Sequence, residues 1–285
     1  GTNYDNWVYD NTFYITGAFT ETAWPNCMPI TTGIFFTASG PNNRVFNNNF
    51  YVTKTTALDR APAFALYLGG ALNNPADNVL FYNNTIETND KAVWVSSPYG
   101  TTEGMWLEKN TFRRVANPYY TPPSITSALR FGYYNAQAIG VKLINNIFQG
   151  GFDSDSYYFT GTSSAGTYDL AKKWYLHVTV RSAGGALAAN ALVRATSASS
   201  EVTEAYTDSN GEALLKLSQY VESGILTSAG PHTRTASSPY SLFVQLGAAT
   251  ATRTAITIDQ EQSMTIALSG DSVAPAAPSG LRVGP

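Results

Sequence analysis

The sequence predicts an all-β chain, a solenoid of about five coils followed by an antiparallel β-sandwich. Three observations lead there. A short beat, Asn-x-Phe or Asn-x-Ile, recurs at "VYDNTFYI" (8–15), "VFNNNFYV" (45–52), "LFYNNTIET" (80–88), "WLEKNTFRR" (106–114) and "LINNIFQG" (143–150). From residue 174 the text turns to alternating apolar and polar residues broken by turn formers. Asn usage changes between the two regions, with 20 Asn in residues 1–150 and only Asn190 and Asn210 afterwards.

The beat is carried by Asn11, Asn48, Asn84, Asn110 and Asn146, at steps of 37, 36, 26 and 36 residues. Two residues after each Asn stands a large apolar group: Phe13, Phe50, Ile86, Phe112 and Phe148. Three residues before each stands another: Val8, Val45, Phe81, Leu107 and Leu143. An interval of five between inward residues breaks period-2 alternation. A tight corner between two short strands accounts for it, with the Asn expected in the left-handed conformation such a corner demands. Further strands, "GIFF" (33–36), "FALYL" (64–68), "AVWV" (92–95) and "ALRF" (128–131), keep near-constant distances of 14, 18, 17 and 17 residues to the next Asn. Repeats of this length with several short strands imply stacked coils. Equivalent residues then lie about 4.8 Å apart, and equivalent Asn amides can hydrogen-bond along the stack.

With these corners on the page, residues 1–150 resemble the right-handed parallel β-helix proteins of the pectate-lyase-like superfold. The resemblance implies a fold and leaves activity open, because that fold hosts many. Asn83-Asn84-Thr85 matches a glycosylation acceptor pattern. The same slot lacks the pattern at Asn48, Asn110 and Asn146, so a ladder role is favoured there.

The stretch 151–173, "GFDSDSYYFTGTSSAGTYDLAKK", reads as a connector or cap. Residues 174–269 hold "WYLHVTV", "ALVRATS", "EALLKL", "YSLFVQL", "TAITI" and "MTIAL", the pattern of an antiparallel sandwich. From Gly185 through Ala191 and Val193 to "TDSNG" (207–211) this region resembles the carboxypeptidase-regulatory-like, transthyretin-like sandwiches, which implies an accessory module. Residues 270–285 form an extended tail. Its "APAAPSGLRV" resembles the opening strand of a fibronectin type III domain through Pro275, Pro278, Leu281 and Val283, and it could pair with a sheet edge.

Composition excludes several classes. Charged residues make up 13% and the net charge is -3, which argues against nucleic acid as a partner. No apolar run approaches the roughly 18 residues of a membrane span. The lone cysteine, Cys27, has no disulfide partner and reads as a small buried residue or a reactive thiol. The chain opens on Gly, which reads as a processed or truncated product. Low charge with abundant Tyr, Thr, Ser and Asn suits an extracellular or cell-surface protein.

Residues 1–150 contain no His. Asp77, Glu87, Asp90, Glu103 and Glu108 are scattered, as are the candidate bases Lys91, Arg113 and Arg130, and all read as surface charges. Asp153 and Asp155 could ligate calcium, but a capping turn is favoured and no cofactor or metal is expected. His177 and His232 read as structural or solvent-facing. Trp24, Trp94, Tyr119 and Tyr120 stand in or beside aromatic connections and are the candidate binding platforms, for sugar rings or another protein.

The expected function is therefore a secreted or cell-surface structural or binding protein without catalysis. Its expected partners are other copies of itself, other surface proteins or polysaccharide. Coil one has no evident cap, so either residues precede Gly1 or another subunit covers that end. A head-to-tail contact of that kind makes filaments. The alternative is an extracellular polysaccharide lyase or glycoside hydrolase with an accessory sandwich.

Overall fold

The computed structural model describes residues 5–18, 30–37, 42–56, 63–69, 76–95, 101–116, 126–132, 137–160, 166–227 and 230–269. Among them every named element is a strand, and no helix is long and apolar enough to cross a membrane. The chain divides into two units, Gly1–Lys173 with Tyr220–Ala236, and Trp174–Gln219 with Ser237–Pro285.

The first unit is a parallel β-helix. Each coil gives one strand to each of three sheets. The first sheet stacks Trp7–Tyr9, Arg44–Phe46, Leu80–Tyr82, Trp106–Glu108 and the end of Gln137–Ile144 in parallel register. The second stacks Thr12–Gly17, Asn49–Lys54, Thr85–Thr88, Thr111–Arg114 and Ile147–Gln149. The third stacks Thr31–Thr37, Ala63–Gly69, Val93–Val95, Leu129–Phe131 and Tyr157–Phe159.

The register aligns the apolar columns expected from the beat, because every coil turns the same pleat position inward. Val45, Phe50, Leu66, Phe81, Ile86, Val93, Leu107, Phe112 and Leu129 are all fully buried. Removing each such side chain from water contributes about 1.5–3 kcal/mol. Rings in one column meet face to face, as with Phe13 and Phe50 at 4.7 Å and 6°.

The Asn of the beat form a continuous ladder. Asn48 Oδ1 accepts from the backbone N–H and Nδ2 of Asn11. Asn84 does the same for Asn48, Asn110 for Asn84, and Asn146 for Asn110. Each Nδ2 from Asn48 onward also donates to a carbonyl of the coil before it, that of Val8, Val45, Phe81 or Leu107. These buried amides are therefore satisfied by stacking alone.

One expectation is corrected. The left-handed residue is the one before the ladder Asn: Asp10, Asn47, Asn83, Lys109 and Asn145, with φ of 56°, 56°, 54°, 55° and 50°. The tight turn aims that residue's side chain outward, so the next side chain points inward to the stack. Asn83 accordingly stands exposed and donates to Asn47 Oδ1 at 2.6 Å, outside the main ladder. A second column of left-handed residues, Asp5, Asn42, Asn78, Gly104 and Gly140, lies on the other side of the first-sheet strands.

At the far end, Leu170–Lys173 stacks on Val141–Ile144. The hairpin formed by residues 220–225 and His232–Ala236 then closes the first sheet in antiparallel fashion. Tyr220 and Leu226 join the solenoid core. Leu226 sits so close to Gly132 that a Cβ there would meet its Cβ at 2.9 Å. The sequence reading placed residues 220–236 in the sandwich; their contacts place them with the solenoid.

The second unit is a β-sandwich. One layer is the antiparallel sheet Val202–Tyr206, Leu192–Ser197, Tyr240–Leu246, Ala249–Ile256. Its core includes Leu176, Val178, Val180, Val193, Leu215, Leu217, Leu242 and Val244. One pairing departs from the all-antiparallel expectation: Gln262–Ala267 runs parallel to Leu176–Arg181.

Replacing Asn84 by Ala strips acceptors from Asn48 and a donor from the Val45 carbonyl. Urea unfolding is expected to show a loss of about 3 kcal/mol, from several orphaned buried groups at about 1–3 kcal/mol each. Asn83→Gly, at a left-handed position any glycine accepts, should stay within about 0.5 kcal/mol of the parent. Equal losses at the two positions would contradict the ladder.

Candidate functional site

Of the sequence-derived platform residues, Trp24, Tyr119 and Tyr120 lie outside the described residues, as do Cys27 and the tail 270–285. Trp94 is described, and its expected role is corrected, because its side chain is fully buried. It belongs to an outward column on the third sheet, Phe35, Tyr67, Trp94, Arg130 and Tyr158, aligned by strand register. Tyr67 packs on one side of the indole at 4.7 Å, and the Arg130 guanidinium lies 3.9 Å over its ring. The indole N–H donates to the Gly132 carbonyl at 3.1 Å. The ring faces are spent on one another. Only the terminal members, Phe35 at 50% and Tyr158 at 37%, keep large exposure.

The scattered charges also find partners in the stack. Arg113 pairs with Glu87 of the adjacent coil at 3.0 Å. Buried Asp90 lies 3.3 Å from Lys91 and 3.8 Å from Lys54. Asp77 and Glu103 are register neighbours, and burial, aided by Glu103, pushes the Asp77 carboxyl up.

Sequence reasoning missed a polar cluster at the closed end of the solenoid. It grows from the "FDSDS" turn, where Asp153 Oδ1 accepts the Asp155 N–H at 2.9 Å. The Asp155 carboxylate accepts from Lys172 Nζ and from the Tyr220 hydroxyl, each at 2.8 Å. Tyr157 and Tyr220 hydroxyls meet at 2.7 Å. Tyr168 donates to Glu222 at 2.7 Å, and Glu222 accepts from Arg234 at 2.6 Å. His232 places Nδ1 2.8 Å from the Tyr168 hydroxyl and Nε2 3.1 Å from the Thr227 carbonyl, with its ring stacked on Phe159 at 4.5 Å. A shallow depression of about 510 Å³ opens here, lined in part by Asp155, Tyr157, Phe159, Glu222, His232 and Arg234.

The electrostatics follow from this wiring. Burial opposes ionisation of Asp155, but Lys172, Tyr220 and Arg234 together outweigh it and hold the carboxyl below its ordinary range. Burial first raises all three phenols, Tyr157, Tyr168 and Tyr220, far above their usual range; Glu222 adds to it at Tyr168, and Tyr157 and then Asp155 add to it at Tyr220. These hydroxyls therefore remain donors. Two strands of the hairpin, the turn and residues 168–172 are tied by one network. The fragment "YVESGILTSAGPHTRTA" gave no sign of it, since alternation marks a strand without saying which sheet it joins.

Among the described residues no group of three or more His, Cys, Asp or Glu is arranged to hold a metal ion. Asp153 and Asp155 share a turn, joined by the Asp155 N–H to Asp153 Oδ1 bond. Neither the scan of protein-family models nor the comparison with curated proteins finds a match to this chain.

Asp155 has a depressed folded-state pKa, so its stabilisation is present above the unfolded value near 3.9 and is lost as pH falls through the folded one. Asp155→Asn is expected to lower urea stability at pH 7 and to lose less than the parent between pH 5 and pH 2.5. Parallel stability profiles for both proteins would contradict the network.

Proposed function

We propose that the chain is a non-catalytic structural and binding module of a secreted or cell-surface protein. One observation carries this reading. Among the described residues, the candidate groups Trp94, Arg130, Arg113, Glu87, Asp90, Lys91 and Asp155 are engaged with neighbouring groups along the stack or within the hairpin cluster. Such an arrangement stabilises a long rigid element, and it leaves function to the ends and outer faces. The low share of charged residues, 13%, accords with it. Self-assembly remains part of the proposal, but residues 220–236 close the far end of the solenoid on the first sheet, which weighs against a head-to-tail contact there.

A second reading, an extracellular polysaccharide lyase or glycoside hydrolase, is favoured by one feature. Asp155, Glu222, His232 and Arg234 line a single depression. There Arg234 could neutralise a uronate, and a carboxyl could act as acid or base.

Incubation with a panel of acidic and neutral polysaccharides separates the two. Release of neither unsaturated nor reducing ends is expected. Cleavage that Glu222→Gln abolishes in a folded protein would replace the structural reading with the enzymatic one.

A further inference from the structure

One motif of the sequence has no role in the stack. Asn83-Asn84-Thr85 is the one run of Asn-x-Thr or Asn-x-Ser in the chain, the pattern that accepts an N-linked glycan. Its acceptor is the first residue, Asn83, and not the ladder residue Asn84. The ladder therefore leaves the acceptor unused, because the two adjacent side chains point in opposite directions.

The corner presents the pattern to solvent. Asn83 takes φ of 54° and is exposed, while Asn84 is 1% exposed. Thr85 opens the strand Thr85–Thr88, whose alternation buries Ile86 and Thr88 and leaves Thr85 partly exposed. The backbone is fixed on both sides. The Asn83 N–H donates to the Glu108 carbonyl and the Thr85 N–H to the Asn48 carbonyl, each at 2.9 Å. The Asn83 side-chain amide carries two hydrogens, and its Nδ2 donates to Asn47 Oδ1 at 2.6 Å. A glycan replaces one hydrogen only, so one N–H is left for Asn47.

The other corners show what sets this one apart. Asp10 and Lys109 have Thr12 and Thr111 two residues on, but carry no amide. Asn47 and Asn145 have the amide, but Asn49 and Ile147 stand where the hydroxyl is needed. Among the left-handed corners of the beat, only Asn83 combines both.

We propose that Asn83 is an N-glycosylation site whose co-substrate is a polyprenyl-diphosphate-linked oligosaccharide, delivered by a membrane-bound transferase. Asn83 Nδ2 forms a bond to the anomeric carbon of the first sugar. The bond from that carbon to the diphosphate oxygen breaks, and the lipid diphosphate leaves with the electron pair. Nδ2 gives up one proton to a base of the transferase. The inference rests on the extracellular half of the functional reading, since such a donor is met on the export route. The attached sugar is bulky and solubilising. It covers the outer corner beside Asn47 and Lys109 and bars that edge of the solenoid from packing against another protein.

The test expresses the full chain behind a cleavable export leader in a eukaryotic host, followed by glycopeptide mapping. One glycan at Asn83 is expected, released by peptide-N-glycosidase. Thr85→Val, which keeps a β-branched residue at the start of the strand, should be exported without it, and Thr85→Ser should retain it. A folded, exported parent with no sugar at Asn83 would overturn the proposal.

A second measurement stands if export fails. Asn83→Cys, made without export, is treated while folded with a maleimide carrying a bulky polymer, and the parent reports the background from Cys27. Labelling of folded Asn83→Cys within about tenfold of the urea-denatured rate is expected for an open corner. Folded protein that resists the label at residue 83 sinks the site, because an obstructed corner has no room for a glycan. The host supplies export in the first experiment and the second needs none, so failure of this site and failure of the extracellular reading are told apart.

Discussion

Everything in the first unit depends on one constraint, that successive coils stack in parallel register at the spacing of hydrogen-bonded strands. A parallel pair places each residue beside its equivalent in the next coil. Identical side chains then meet identical side chains. For Phe this means ring stacking in the core. For Asn it means an amide that donates and accepts at once, so that a polar group can be buried without an orphan. The beat is the sequence trace of that geometry.

The same constraint governs the outside. An outward column of aromatic residues closes on itself, as Tyr67, Trp94 and Arg130 do. A ring in mid-stack has no face to offer a ligand, and only the ends of a stack do. The last coil is closed by residues 220–236, pinned by Asp155, Tyr220, Glu222 and Arg234. The engagement of such groups with one another, more than any convergent set of catalytic groups, is why a scaffold role is proposed.

Much of the solenoid was legible in the sequence because a repeated packing problem imposes a repeated solution. The columns through Val45, Phe50 and Leu66 could be written down from spacing. The corner conformation was legible only to within one residue. Asn47 and Asn48, Asn83 and Asn84, and Asn145 and Asn146 are adjacent pairs, so residue type did not say which member takes positive φ; Asp10 and Lys109 resolve it. The second corner was hidden because Asp, Asn and Gly share it. Burial of Trp94 was not legible, since an outward position is covered only by what stacks beside it. Nor was the hairpin cluster, whose members Asp155, Tyr168, Glu222 and Arg234 are brought together by strands distant in the chain.

The ladder can be tested without any mutation. Side-chain amide exchange followed by nuclear magnetic resonance distinguishes Asn held in the stack from Asn in the exposed corners. The Nδ2 protons of Asn48, Asn84, Asn110 and Asn146 are expected to persist in deuterated solvent, while those of Asn47 and Asn83 vanish at once. If both sets exchange at the same rate, stacking does not bury and bond these amides, and the coil-to-coil interface described above is contradicted.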